Sequence, residues 1–78
     1  MTTIHLVSLQ PGQSATIKQL QAESALQQRL QALGFRKGKQ VEMIRQGWFK
    51  GPLHVRVGTT EVMLRRRDAK EIHITNVI

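Results

Sequence analysis

The chain has 78 residues, which predicts one small domain over residues 1–78 with a core of Leu, Ile, Val and Met side chains. It has no cysteine, which excludes disulfides, thiolate metal sites and cysteine nucleophiles, and no apolar run reaches the roughly 18 residues that span a bilayer. Its net charge of +7 lies in residues 29–78, because Lys18 and Glu23 cancel before them, and this asymmetry favours an anionic partner.

The N-terminal segment, MTTIHLVSLQPG, lacks the basic start and long apolar region of a signal peptide, so we expect a cytoplasmic protein. Within it, TIHLVSL alternates loosely and ends at Pro11-Gly12, a turn-forming pair. The following SATIKQL alternates regularly and predicts a strand with Ala15 and Ile17 inward.

The hydrophobic period then changes to that of a helix. Three leucines fall on one predicted helix face: Leu26, Leu30 and Leu33. Ser24, with Gln27 three residues later, resembles a capping box, so one helix is predicted at about 24–33.

Two glycines follow the predicted helix and indicate a helix-to-strand reversal. Gly34 lies where a helix end favours a left-handed residue, and Phe35 is then expected to fold back onto Leu30, as in a Schellman cap. Gly38, in the turn RKGK, is expected to have positive φ.

The rest of the chain predicts strands. QVEMIR has Val41 and Met43 on one face, QGWFKGP is a loop, RRRDAKE is a turn or 3₁₀ segment, and IHITNVI is a final strand with Ile72 and Ile74 inward. A two-residue turn at Gly58-Thr59 predicts a hairpin. Its cross-strand pairs are Val57 with Thr60, Arg56 with Glu61, Val55 with Val62, His54 with Met63, and Leu53 with Leu64. About five strands with one inserted helix imply a mainly β fold, a small, partly closed barrel.

The order of these pieces resembles the FeoA family, ferrous iron transport protein A, over nearly the whole chain. The matching pieces are Leu9…Pro11-Gly12, Arg29-Leu30…Leu33-Gly34-Phe35…Gly38, Gly51-Pro52 before the hairpin, and Leu64-Arg65…Ala69…Ile72. The resemblance implies an SH3-like barrel related to the C-terminal domain of DtxR-type repressors. Because no winged-helix segment precedes the domain, a full repressor is not expected.

The resemblance also implies a function in iron homeostasis. FeoA proteins are small cytosolic accessories of the membrane ferrous iron transporter FeoB and are thought to contact its cytosolic GTP-binding part. The expected partner is therefore FeoB, with recruitment to the inner face of the membrane and no direct membrane insertion. Transition metal ion binding is associated with the family and is implied by the resemblance alone.

The sequence predicts neither a metal site nor a cofactor. No two of His5, His54 and His73 have a metal-ligand spacing, and no carboxylate clusters with them in sequence, so solvated strand positions are the favoured interpretation. No serine or threonine lies in a nucleophile motif, and GFRKGK follows a helix, whereas a phosphate loop follows a strand. We therefore expect no enzyme.

The candidate partner-binding residues are mostly basic. Arg65, Arg66 and Arg67 form the strongest charge run, which is either a solvated rim or a docking point for carboxylates. Arg36 and Lys37, with Lys39, extend it if their turn lies beside the hairpin. Five glycines are assigned to structural turns: Gly12, Gly34, Gly38, Gly51 and Gly58.

Trp48 and Phe49 are two of the three aromatic residues of the chain and are followed by Lys50. Because neighbours in extended chain point to opposite faces, one ring is expected in the core and the other in solvent. The alternative is an apolar anchor at the loop tip, flanked by cations.

Two further functions stay open. A small basic barrel with a sequence pI of ≈ 11.3 is also compatible with nucleic-acid binding, although the strands offer no aromatic residues for base stacking. TIHLVSL or IHITNVI could be an edge strand for self-association.

Overall fold

The structure, a computed structural model, describes residues 4–78; Thr3, the first residue of the predicted TIHLVSL strand, lies outside them. Six strands and two helices follow in chain order: β1 Ile4–His5, β2 Ser14–Leu20, α1 Ser24–Ala32, β3 Gln40–Gln46, β4 Leu53–Val57, β5 Thr60–Leu64, α2 Arg66–Ala69 and β6 Ile72–Thr75. Two 3₁₀ turns lie at Leu6–Ser8 and Trp48–Lys50. The predicted mainly β fold with a helix inserted after an early strand is confirmed; within the described residues it has six strands rather than about five, and a second, four-residue helix.

All strands belong to one antiparallel sheet in the order β1-β6-β2-β3-β4-β5. The strand beyond the five predicted is β1: within the described part of TIHLVSL, Ile4 and His5 pair with β6 before the chain turns at Leu6–Ser8. Of the two segments offered as a possible edge strand, TIHLVSL provides one, because β1 is the first strand in the sheet order; IHITNVI does not, since β6 pairs with β1 on one side and β2 on the other.

Alternate residues of the strands form one hydrophobic core. Ala15 and Ile17 of β2, Val41 and Met43 of β3, and Ile72 and Ile74 of β6 are buried, as the period of two predicts. Buried side chains of the β4–β5 hairpin join the same cluster. The sheet therefore curls around its apolar face.

The β4–β5 hairpin has the predicted register at all five pairs, from Val57↔Thr60 to Leu53↔Leu64. Gly58 has φ +61°, which a glycine at the first central position of a type II′ turn adopts without steric cost. The turn length thus determines which side chains share a face.

Helix α1 ends in the predicted Schellman arrangement. The Phe35 N–H donates to the Leu30 carbonyl at 2.9 Å and the Gly34 N–H to the Gln31 carbonyl at 3.0 Å, while Gly34 has φ +107°. Phe35 and Leu30 are both buried in the core. The backbone reversal at Gly34 therefore places the Phe35 ring in the core.

Two details of α1 correct the sequence analysis. Ser24 is the first helical residue and Glu23 the N-cap, without a side-chain cap, and the Gln27 amide donates instead to the Leu20 carbonyl at 3.1 Å. Leu33, assigned to the apolar stripe, is 39 % exposed, because it lies at the helix end, where the chain turns back through Gly34. The segment RRRDAKE, predicted as a turn or 3₁₀ segment, instead contains a four-residue α-helix, α2, in which Ala69 is buried.

Candidate functional site

The loop between β3 and β4 presents both of its aromatic rings to solvent. Trp48 is 88 % exposed and Phe49 is 99 % exposed, so the prediction that one ring enters the core is wrong. The residues are not extended, because Phe49 has φ +54° and Lys50 has φ +61°. The alternation of strand neighbours therefore does not apply here, and the geometry is that of an apolar loop tip.

Glycines at both ends of the loop permit this tight turn. The Gly47 N–H donates to the Pro52 carbonyl and the Gly51 N–H to the Trp48 carbonyl, each at 3.0 Å. A Cβ at Gly47 would lie 2.9 Å from the Pro52 oxygen, closer than side chains tolerate. The close approach of the two loop ends therefore requires glycine at position 47.

Folding gains little from this loop. Burying an aromatic ring contributes about 1.5–3 kcal/mol, which Trp48 and Phe49 leave unused. Left-handed backbone at a non-glycine residue costs on the order of 1–3 kcal/mol, and two consecutive residues adopt it. Strain together with exposed apolar area is typical of a segment kept for binding.

Arg66 connects this loop to the basic segment after β5. Its Nε donates to the Gly51 carbonyl at 3.0 Å, and Arg66 is only partly exposed. A cavity beside this contact is lined by Lys50, Pro52, Met63 and Arg65 as well as Arg66. Loop and arginines therefore form one surface.

We call this set the aromatic–basic surface, and it comprises Trp48, Phe49, Lys50, Met63, Arg65 and Arg66. Met63, which is 62 % exposed, is the member of this surface that was not among the predicted binding residues. Its predicted position opposite His54, on the polar face of the hairpin, was the available indication. An apolar side chain on an otherwise polar face is a candidate for contact with a partner.

The other predicted basic residues lie elsewhere. Arg67 lines a different cavity, beside Glu23, Asp68 and Glu71. Arg36 and Lys37 are exposed in a turn that is bonded through Gly38 to Ile17 of β2.

The turn of Arg36 and Lys37 lies at the opposite end of the hairpin from the arginine run. Gly34 abuts Val57, at the turn end of β4, whereas Arg65 follows Leu64, which pairs with Leu53. At about 3.4 Å per residue, the two ends of β4 lie roughly 14 Å apart. A role for Arg36 and Lys37 in partner binding stays a prediction.

An ion-pair cluster lies on the outer face of β3, β4 and β5. Arg56 bonds Glu42 at 3.0 Å and the predicted partner Glu61 at 3.2 Å, and His54 Nε2 lies 2.8 Å from the Glu61 carboxylate. The hydrogen bond from Arg56, and then that with His54, holds the pKa of Glu61 below its ordinary value. These are the salt bridges within residues 4–78, and none involves the aromatic–basic surface.

The structure brings two of the three histidines together. His5 of β1 pairs with His73 of β6, and their rings lie edge to face with 4.7 Å between the ring centroids. Nothing in the sequence indicated this contact, because His5 and His73 are brought together by the pairing of the first and last strands. Among residues 4–78, no three His, Cys, Asp or Glu side chains form a group able to hold a metal ion.

Comparison with known families then places the chain. A family model of the FeoA domain matches residues 4–76. The chain belongs to the FeoA family. It is 35 % identical to an FeoA protein of Stenotrophomonas maltophilia, solved in complex with zinc and described as an SH3 domain protein, with a TM-score of 0.80 over 96 % of this chain and 91 % of that one.

Two further solved structures have a similar fold at different levels of sequence identity. Iron(II) transport protein A of Clostridium thermocellum is 30 % identical, with a TM-score of 0.87 over 91 % of this chain and 44 % of that one. A manganese-dependent transcriptional repressor is 16 % identical, with a TM-score of 0.85 over 94 % of this chain and 41 % of that one, and shares the fold alone. No curated protein matches the chain.

Family membership establishes the SH3-like fold and the broad function. FeoA proteins are small, non-catalytic accessory proteins of ferrous iron transport, and their fold recurs in metal-dependent repressors, as the resemblance implied. Within residues 4–78, no helix has the length and apolar character needed to cross a membrane.

Proposed function

We propose that this FeoA protein acts in the cytoplasm by docking its aromatic–basic surface on the cytosolic GTP-binding region of the transporter FeoB, and that it has no catalytic activity of its own. The observation that supports this most is the exposure of Trp48 and Phe49 on a strained loop. Aromatic residues and arginine are the side chains most enriched at energetically dominant interface positions. Docking would recruit the protein to the inner face of the membrane.

The charges of the surface favour an acidic protein partner. Lys50, Arg65 and Arg66 form no salt bridge within the described part of the chain, so their charges are available. Arginine forks bind carboxylates with two parallel hydrogen bonds, which adds orientation to attraction. The surface thus combines apolar anchors with cations that orient the partner.

Nucleic acid is the second candidate, and the exposed rings are the observation in its favour. Bases stack on exposed aromatic rings beside cations, and Trp48 and Phe49 meet that requirement next to Lys50. They are the only tryptophan and one of two phenylalanines, and the other, Phe35, is buried. A stacking platform would therefore consist of a single loop.

The test is a titration of the immobilised protein with detergent-solubilised, full-length FeoB, with double-stranded and single-stranded DNA as competitors. At physiological ionic strength the Debye length is about 8 Å, so loose attraction between distant charges is screened. We expect saturable binding that DNA does not displace. Binding only to DNA, with a steep loss at higher salt, would favour the second candidate instead.

Matched variants assign the binding surface. We expect the double variant Trp48→Ala, Phe49→Ala to bind about 30-fold more weakly, since interface anchors contribute roughly 2 kcal/mol or more. Val77→Ala, which shortens another exposed apolar side chain, should bind normally. Arg65→Glu should weaken binding and Lys18→Glu, an equal charge change on β2, should not. Equal loss in each variant and its control would mean that docking is not local to this surface.

A further inference from the structure

Strand β5 forms a free edge of the sheet, next to the aromatic–basic surface. It is the last strand in the sheet order, and among the strands of residues 4–78 it pairs with β4 alone. Within residues 4–78, no backbone hydrogen bond outside the β4–β5 pairing involves Glu61 or Met63. A free edge presents backbone donors and acceptors to any extended chain that approaches.

The hairpin register determines which backbone groups of β5 point outward. In an antiparallel pair, hydrogen-bonded and non-hydrogen-bonded positions alternate. The two-residue turn closes on the hydrogen-bonded pair Val57↔Thr60, so Glu61 and Met63 occupy non-hydrogen-bonded positions. Their N–H and C=O groups therefore face away from β4, along the free edge.

A groove runs beside this edge, between β5 and the end of α1. Its apolar walls are the exposed side chains of Leu33 and Met63, over the buried Leu30 and Leu64. Met63 also lines the cavity shared with Lys50, Pro52 and Arg66. The groove is thus continuous with the aromatic–basic surface through Met63.

The charges in this groove are mainly positive. Arg29 and Arg65 line it together with one carboxylate, Asp68, and none of the three forms a salt bridge within the described part of the chain. The nearby carboxylate of Glu61 is bonded by Arg56 and His54. An entering acidic side chain therefore meets an excess of cationic charge.

From these observations we infer that the partner contributes an extended segment with alternating acidic and apolar side chains, which pairs with β5 at Met63 as an added strand. Its apolar side chains would occupy the groove beside Leu33, and its carboxylates, which point to the opposite face of the added strand, would lie beside Lys50 and Arg65. Backbone pairing supplies affinity in this binding mode, and pockets for alternate side chains supply selectivity. The inference rests on the proposed function only in taking the partner to be a protein.

Charge distinguishes this occupant from a second copy of the chain. Each copy carries a net charge of +7, all of it in residues 29–78, which include the hairpin and α2, so two copies repel one another. An acidic segment is instead attracted to the groove. Self-pairing of β5 is therefore an alternative outcome of the test below.

The experiment uses the intact, isotope-labelled protein and two end-blocked synthetic heptapeptides, one alternating Glu and Val and the other Lys and Val. We expect the Glu/Val peptide to shift the amide resonances of Glu61 and Met63 and to bind at least about 10-fold more tightly than the Lys/Val peptide. Equal binding of both peptides, or shifts that avoid these two amides, would overturn the inference. Shifts that depend on protein concentration alone would assign the edge to a second copy.

Two substitutions at one position separate edge pairing from side-chain contact. Met63→Pro removes the outward N–H without breaking a bond to β4, and proline is tolerated at such edge positions. Met63→Thr keeps that N–H and removes only the apolar side chain. We expect Met63→Pro to lose peptide binding about 10-fold and Met63→Thr less, with both melting cooperatively.

Titrating the same variants with solubilised FeoB distinguishes a failure of this inference from a failure of the proposed function. If FeoB binds and Met63→Pro weakens that binding no more than Met63→Thr does, the docking proposal stands and the edge inference fails. If FeoB does not bind but the Glu/Val peptide shifts Glu61 and Met63, the edge inference stands and the named partner is wrong.

Discussion

The two phenylalanines of this chain lie in turns next to glycine-rich segments and have opposite environments. Phe35, after the helix end, is completely buried, whereas Phe49, in the β3–β4 loop, is 99 % exposed. At the first turn the left-handed residue is Gly34, which adopts that conformation without strain; at the second turn the left-handed residues are Phe49 itself and Lys50. The first turn serves the core, and the second holds an apolar side chain away from it at a cost to stability.

The largest expected effect comes from shortening the buried ring. Phe35→Ala should lower the free energy of unfolding by about 3–5 kcal/mol, because it removes apolar contacts and leaves a cavity in a small core. Denaturant titration followed by circular dichroism measures this. A loss below roughly 1 kcal/mol would mean that Phe35 is not a central core residue.

The next effect tests the backbone of the first turn. Gly34→Ala should cost about 1–2 kcal/mol, since an L-residue is strained at φ +107°. The added Cβ would lie 3.4 Å from Val57 Cγ1, an ordinary contact, so the loss would come from the backbone rather than from a clash. Gly51→Ala is an unsuitable control because its Cβ would approach the Trp48 carbonyl at 3.0 Å. Ala32→Gly, at the last residue of α1, provides a reference for the exchange of glycine and alanine in a helical conformation.

Substitutions in the second turn should change the unfolding stability much less. Lys50→Gly relieves left-handed strain but increases the freedom of the unfolded chain, so unfolding stability should change by less than about 0.5 kcal/mol. Phe49→Ala should be similarly neutral for stability. Both variants should bind FeoB more weakly if the proposed docking is correct. Loss of stability in Phe49→Ala comparable to that in Phe35→Ala would remove the contrast between the two turns.

The smallest effect concerns Glu61, outside both turns. Its pKa is lowered by Arg56 and His54 in the folded protein, so its contribution to stability is present above the ordinary pKa of the carboxyl group and is lost as the pH falls through the lowered one. The denaturation midpoint should therefore fall from pH 7 to pH 3 in both proteins. The fall should be slightly larger for the native chain than for Glu61→Gln. The difference should shrink in high salt, because these groups are exposed.

Local patterns account for most of the correct predictions. The register of the β4–β5 hairpin followed from a two-residue turn, and the helix end from Gly34 with Phe35, since each depends on residues adjacent in sequence. The family resemblance likewise used short pieces in order, and the match over residues 4–76 confirmed it.

The candidate site was predicted less well because its residues meet only in the folded chain. Arg66 contacts Gly51 across fifteen positions of sequence, and Met63 joins the surface through its place on β5. Because Phe49 and Lys50 have positive φ, the aromatic ring that was expected in the core lies in solvent instead. Neither residue type favours that conformation, so no local propensity predicted it.

By itself, then, the sequence determined the strand alternation, the helix with its glycine end, the hairpin register and the family, because turn chemistry and hydrophobic period act over a few residues. The tertiary structure alone decided that β6 lies between β1 and β2, that His5 meets His73, and that the β3–β4 loop lies against the arginines after β5. Those contacts depend on how the sheet curls around one core, which is a property of all strands together.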